Sequence, residues 1–479
     1  MHDGFITEQV FDKIAWRINH TNVPTEEKGV NRKAAVGLIL AGVICLMAWM
    51  MIKSVRNEIV PLEPVLGEIS SGNRIECDLT LDDALRHFTG NMKVIWINSY
   101  EEDLNQIVFS VYGNEADPGA VRIVSATVNG MPQFPHFDED ATVLRFATPF
   151  RQGESLVIEM QIEGSLNLTE NEGQMMAILP VPEVYSEGAW KKGVGSGIVE
   201  PLVAEAFESR VSICVPAGIG VLAGGQLTEF QPLAEGTRFT FEQAIARDLS
   251  IYAQKGTMVQ SRADRVMVLT EKRARANELL RAYTEAKKRM QLAGFKPEDG
   301  LSIGECSERG GLALSGLILC ENVKGENLIR QMIQLLSRQA FGVRVGNDME
   351  RTPWLSYTLA SYVELDSTRG QMTEAQFEAR HREEIEISTR LTRPRGVCIG
   401  AEASMFYDRA ELLQVLCEAG GEMMLGLDEA VGREMMHHVL SAYVEEYSGR
   451  LAGIEDFLKV LNRETGSEWR GYIEDWLAM

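Results

Sequence analysis

Residues 332–342 read MIQLLSRQAFG. Met332, Ile333, Leu335, Leu336 and Phe341 are apolar, so the stretch predicts a buried helix. Long polar side chains interrupt it at Gln334, Arg338 and Gln339. Gln334 and Arg338 are four residues apart, one turn apart on a single helix face. At that spacing two side chains can reach one metal ion, yet a neutral amide is a poor ligand and a guanidinium cannot deprotonate to become one. Fold and function both hang on what surrounds this helix.

From about residue 271 to the end the apolar period is 3.6. Leu279, Leu280, Tyr283 and Met290 form one stripe, and Gly294 stands where a helix C-terminus favours glycine. Further helices are predicted near 326–341, 351–366, 373–389, 408–418, 428–448 and 467–477, with Thr373 and Gln376 fitting a capping box. Short strands remain, including GLALSGLIL at 311–319. Before residue 271 the period is two. In SLVIEMQIEG, Leu156, Ile158, Met160 and Ile162 alternate with Val157, Glu159, Gln161 and Glu163, the pattern of a half-solvated strand. RVSICVPAG, RFTFEQ and RDLSIYAQ repeat it, separated by turns such as VNGMP.

Further back, Ala34 to Ile52 is an apolar run of nineteen residues without a charge. A helix needs roughly 17–25 apolar residues to cross the hydrocarbon layer, so the run predicts one uncleaved transmembrane helix. Five basic residues lie in 1–33 and two in 53–73, a bias that puts the N-terminus in the cytoplasm and the bulk of the chain outside. The expected organisation is a cytoplasmic segment 1–33, a span 34–52, a juxtamembrane linker 53–74, an antiparallel β saddle or sandwich 75–270, and a mainly helical domain 271–479. The class is α+β behind a single-pass anchor in the cell membrane, with the lipid bilayer as one partner.

The net charge is −22, and no basic stripe with interleaved aromatics appears, which argues against nucleic acid. Six cysteines follow the span, several in apolar runs where a thiol acts as a small hydrophobe, so free thiols are expected. No CxxC pair offers a zinc ribbon. His437 and His438 are adjacent in a helix and point about 100° apart, one expected buried and one exposed. The glycines of KKGVGSGIVEP are followed by no GKS or GKT, so they form no phosphate loop.

The order of β domain, long helix, short strands and helix bundle resembles the membrane alanyl aminopeptidase and leukotriene hydrolase family of zinc metallopeptidases. ATVNGMPQF followed by FRQGESLVIEMQIEG resembles that family's N-terminal saddle, and ARDLSIYAQ its ARDFAL strand. RQAFG is similar to its HQWFG, LASYVE to its FASYVE, and FLKVLNRETGSEWRGYIEDWL to the end of its catalytic domain. The resemblance covers about 75–479 and implies a thermolysin-like helical domain. It also implies where the chemistry would sit. Registered on RQAFG, the two zinc-binding histidines fall on Gln334 and Arg338, the general-base glutamate on Leu335, and the third ligand on Tyr357. In GGLALSGLIL the glutamate that holds a substrate amine falls on Ala313, and in FYDRAELL the oxyanion-stabilising tyrosine falls on Phe406, with Tyr407 one residue away.

These substitutions lead to an expectation of no catalytic residue, no metal and no cofactor, and of a chain that is not an enzyme. The fold would persist as an extracytoplasmic module that binds or scaffolds a peptide or membrane-protein partner, with Arg338, Tyr357, Tyr407 and Gln334 as binding residues. A fixed charge on Arg338 in place of the metal would need a partner, for which Gln334 and the Tyr357 hydroxyl are the candidates. Two other readings stand beside it: an aminopeptidase with an unorthodox site, and a transmembrane sensor signalling through residues 1–33.

Overall fold

The computed structural model describes residues 59–62, 72–115, 117–165, 174–175, 178–192, 197–200, 203–373, 375–379 and 397–478. The expected span at 34–52 and the segment before it lie outside these residues. Among the described residues, no helix is long and apolar enough to cross a membrane.

Alternation builds the first half of the chain. Along Ser155–Ser165, Leu156, Ile158, Met160 and Ile162 are buried while Glu159 and Gln161 are exposed. Along Phe207–Pro216 every second residue is buried, from Phe207 to Val215. These strands belong to an eight-stranded sheet in the order Gln226–Leu233, Gly236–Ala246, Phe207–Pro216, Arg74–Leu81, His87–Ile97, Ser155–Ser165, Val121–Val128, Met131–Gln133. All neighbours are antiparallel except Arg74–Leu81 and Phe207–Pro216, which run parallel. Trp96, Phe109, Phe146, Phe207 and Phe241 fill the core beneath it, each worth roughly 1.5–3 kcal/mol on burial.

A five-stranded sheet takes strands from both sides of residue 271. Its order is Thr257–Ser261, Val266–Thr270, Ser302–Cys306, Leu317–Glu321, Leu312–Leu314. Val266–Thr270 and Ser302–Cys306 are parallel, which requires a crossover. The crossover is the long helix α1, Arg273–Leu292. It ends as expected at Gly294, whose φ is +93°. The Gly294 N–H bonds the Gln291 carbonyl and the Phe295 N–H bonds that of Met290, the Schellman pattern. Leu312–Leu314 is the edge of this sheet, antiparallel to Leu317–Glu321.

The helices follow. Helix α2, Gly325–Arg338, runs on into a π-helical turn at Gln339–Arg344. Helix α3, Trp354–Arg369, is buried on every side from Trp354 to Thr368. Its polar residues find partners: Thr358 and Ser361 donate to the Leu416 and Cys417 carbonyls, Tyr362 donates to Asp428, and Glu364 pairs with Arg330. Then come α4 (Arg409–Leu413, continuing through a π-helical turn at Gln414–Ala419), α5 (Gly420–Val431), α6 (Arg433–Tyr447), α7 (Ile454–Thr465) and α8 (Arg470–Leu477). The single helix expected over 428–448 is two, because Gly432 adopts φ +91° between them. Helix α7 was not expected; Gly453 and Asp456 start it, and Gly466 ends it in the left-handed region. The capping box forms: the Thr373 N–H donates to Gln376 and the Gln376 N–H to the Thr373 hydroxyl. The six cysteines among the described residues are free thiols. His437 is half-buried against Asp366, and His438 is exposed against Glu464.

Candidate functional site

Five segments converge at the free edge of the five-stranded sheet. The edge strand supplies Ala313. Helix α2 brings Arg338 just before its π-helical turn. Helix α3 supplies Tyr357 from its first turn. The loop 197–200 of the β half carries Glu200. Helix α4 carries Arg409 at its start, where Asp408 caps the helix by accepting from the Glu411 N–H at 2.8 Å.

Glu200 is the centre and is 1% exposed. Its Oε1 lies 2.9 Å from Arg338 Nη2 and 3.0 Å from Arg409 Nη2. The same oxygen accepts the Ala313 N–H at 3.1 Å. Its Oε2 accepts the Tyr357 hydroxyl at 2.5 Å. Arg409 also donates to the Ile198 and Gly311 carbonyls at 2.7 Å each, to the Arg309 carbonyl at 3.0 Å and to Tyr357 Oη at 3.2 Å. Arg338 lies over the Tyr357 ring, its Cζ 4.6 Å from the centroid. Gln339, just beyond Arg338, donates to the Leu314 carbonyl and accepts the Gly316 N–H. Backbone groups that an unpaired strand edge would leave open are thus taken by side chains.

Electrostatics follow from this packing. Burial pushes the Glu200 carboxyl up, but Arg338, Arg409, the Tyr357 hydroxyl and the Ala313 N–H overcome it and hold it at about 2. Burial raises the Tyr357 phenol and Glu200 adds to that, against the opposing pull of the two arginines, so Tyr357 stays a protonated donor. For Arg409 burial works against the charge, yet Tyr357 and Glu200 outweigh it and the guanidinium is held more firmly than usual.

The structure unites three of the residues singled out from sequence: Ala313, Arg338 and Tyr357. Leu335 is buried in the core of the helical half. Gln334 is half-buried on the helix and makes no bond to Arg338. Phe406 is buried, while Tyr407 is 74% exposed with its N–H bonded to Glu411. The partner of Arg338 is Glu200, not Gln334 or the Tyr357 hydroxyl; tyrosine offers its ring face instead. Sequence reasoning missed Glu200 and Arg409. Glu200 stood in a glycine-rich stretch weighed only for phosphate binding. Arg409 carried a usable signal, because a cation in the first turn of a helix opposes the dipole and needs another reason to be there.

These residues do not fit a zinc ion. The position between the helices holds two guanidiniums and a protonated phenol, none of which is a ligand. The one carboxylate is saturated by four donors. Among the described residues no group of three His, Cys, Asp or Glu could hold a metal.

The fold itself matches known structures. A mutant M1 zinc metallopeptidase from Deinococcus radiodurans, bound to a Tyr-Ser-Ala substrate, aligns with TM-score 0.61 and 18% identity over 85% of this chain and 94% of that one. The unmutated peptidase from the same organism aligns with TM-score 0.60 and 18% identity, over 87% and 95%. A two-domain M1 zinc metallopeptidase mutant bound to L-arginine gives 0.61 and 18%, over 87% and 96%. No family model matches the sequence, and no curated protein does. The likeness establishes the fold of the M1 peptidases. It also corrects the expectation that the chain is not an enzyme: the fold running through most of it is that of zinc metallopeptidases.

Proposed function

We propose that the chain is a single-pass membrane protein whose extracytoplasmic part binds a peptide or the end of a protein partner beside the Glu200 cluster. The observation that carries this reading is the Glu200 cluster, which gathers two guanidiniums and a phenol around one buried carboxylate. Two structures with the same fold hold a tripeptide substrate and an amino acid. The anchor is the uncharged run 34–52 with its basic flank at 28–33. Gln334, half-buried on the same helix as Arg338, is a further binding residue in this reading.

A second reading is favoured by the fold likeness: peptide hydrolysis by an unorthodox site. One experiment addresses both. The full chain, purified in detergent, is titrated with fluorescent tripeptides such as Tyr-Ser-Ala, and aminoacyl-amide turnover and zinc content are measured on the same sample. Saturable binding supports the first reading, and its absence overturns it. Turnover that scales with protein and survives repurification supports the second.

A further inference from the structure

The charges of the Glu200 cluster do not balance. Arg338, Arg409 and Glu200 are each at least nine-tenths buried, and two guanidiniums face one carboxylate. Among the described residues no other carboxylate lies within ion-pair distance of either guanidinium. Glu364 is paired with Arg330 at 2.7 Å, and the only ion pair of Arg338 among the described residues is with Glu200. A net positive charge out of water is costly unless something answers it.

The imbalance falls on one side chain. Arg409 has an acceptor for its Nε and for both terminal nitrogens. Arg338 does not. Its Nη2 reaches Glu200 and, at 3.5 Å, the Gly311 carbonyl. Its Nε is buried with no acceptor among the described residues. The Tyr357 ring face offsets part of the charge but accepts no such bond. Charge count and orphaned donor are separate observations, and both ask for an anion at Arg338.

We infer that Arg338 is a carboxylate-binding site: it takes one acidic group, either the terminal or side-chain carboxylate of a bound peptide or a free small carboxylate. A planar guanidinium matches a carboxylate in shape as well as sign. The peptide form of this inference rests on the proposed peptide-binding function.

The test uses the full chain in detergent. Tyr-Ser-Ala with a free C-terminus is compared with its C-terminal amide, and sodium acetate is exchanged for sodium chloride at constant ionic strength while the denaturation midpoint is followed. The acid should bind at least about tenfold more tightly than the amide, the scale of one charge-assisted hydrogen bond. Arg338→Met should abolish the preference. Arg338→Lys, which keeps the charge but loses the fork, should reduce it. If acetate stabilises the wild-type chain but neither peptide binds, the carboxylate site stands and the peptide reading falls. If acid and amide bind equally and acetate does nothing, the inference is overturned while peptide binding survives. Because acid and amide are compared on the wild-type chain, a misfolded variant leaves the test intact.

Discussion

Two arginine sites lie at the heart of the molecule, and they are solved differently. Arg247 is completely buried and donates to three backbone carbonyls, those of Ala204, Val343 and Arg450, with no carboxylate in contact. Burial there pulls the guanidinium down to about 10. At the other site Arg338 and Arg409 share Glu200, and the firm hold on Arg409 reflects that counter-charge. The carbonyl clamp joins the β half to the helical half and gives each nitrogen of the Arg247 guanidinium an acceptor. The ionic cluster holds the same halves together but leaves a donor and a charge unanswered. A guanidinium whose nitrogens all have acceptors reads as architecture, and one with an orphaned nitrogen reads as a place for something to bind.

The comparison can be broken by removing its pivot. Glu200→Ala leaves two buried guanidiniums without a counter-ion and should cost about 3–5 kcal/mol, seen as a lower denaturation midpoint. A loss near zero would mean that the cluster is open to water. Acid should do the same reversibly. The Glu200 carboxyl falls from its ordinary 4.5 to about 2 on folding. Its contribution is therefore complete above pH 4.5 and fades as pH drops towards 2, on the order of 3 kcal/mol in all. Glu200→Gln should flatten that part of the stability profile. On the carbonyl side, Gly346 lies against the Arg247 guanidinium, where an added Cβ would come 2.3 Å from Cζ. Gly346→Ala should cost about 1–3 kcal/mol by overpacking, with no change in pH dependence between 2 and 5. The smallest effect is expected at the cap beneath Arg409. Asp408→Ala should lose about 1 kcal/mol, with less than a twofold change in peptide affinity if Arg409 is held by its own five contacts.

Much of the architecture was legible from periodicity. The alternation at 155–164 and the stripe from Leu279 to Met290 each mapped onto one element, because burial on a single face leaves a period in the sequence. Helix α3 is harder to read, since it is buried all round and its serines, threonines and acids are answered by distant segments. Positive φ at Gly432 split one expected helix, a backbone choice that composition does not announce. The candidate site was half visible. Ala313, Arg338 and Tyr357 came from local resemblance. Glu200 and Arg409 did not, because each looks ordinary among its own neighbours and acquires meaning only across the fold. The residues of one helix do not decide whether the whole chain is an enzyme.

The contact between Arg409 and Glu200 spans 209 positions of the chain. During synthesis at about 5–20 residues per second, the loop bearing Glu200 waits roughly 10–40 s before Arg409 leaves the ribosome. Of the four donors that answer Glu200, Arg409 is the last to be made, so the cluster is completed only late in synthesis.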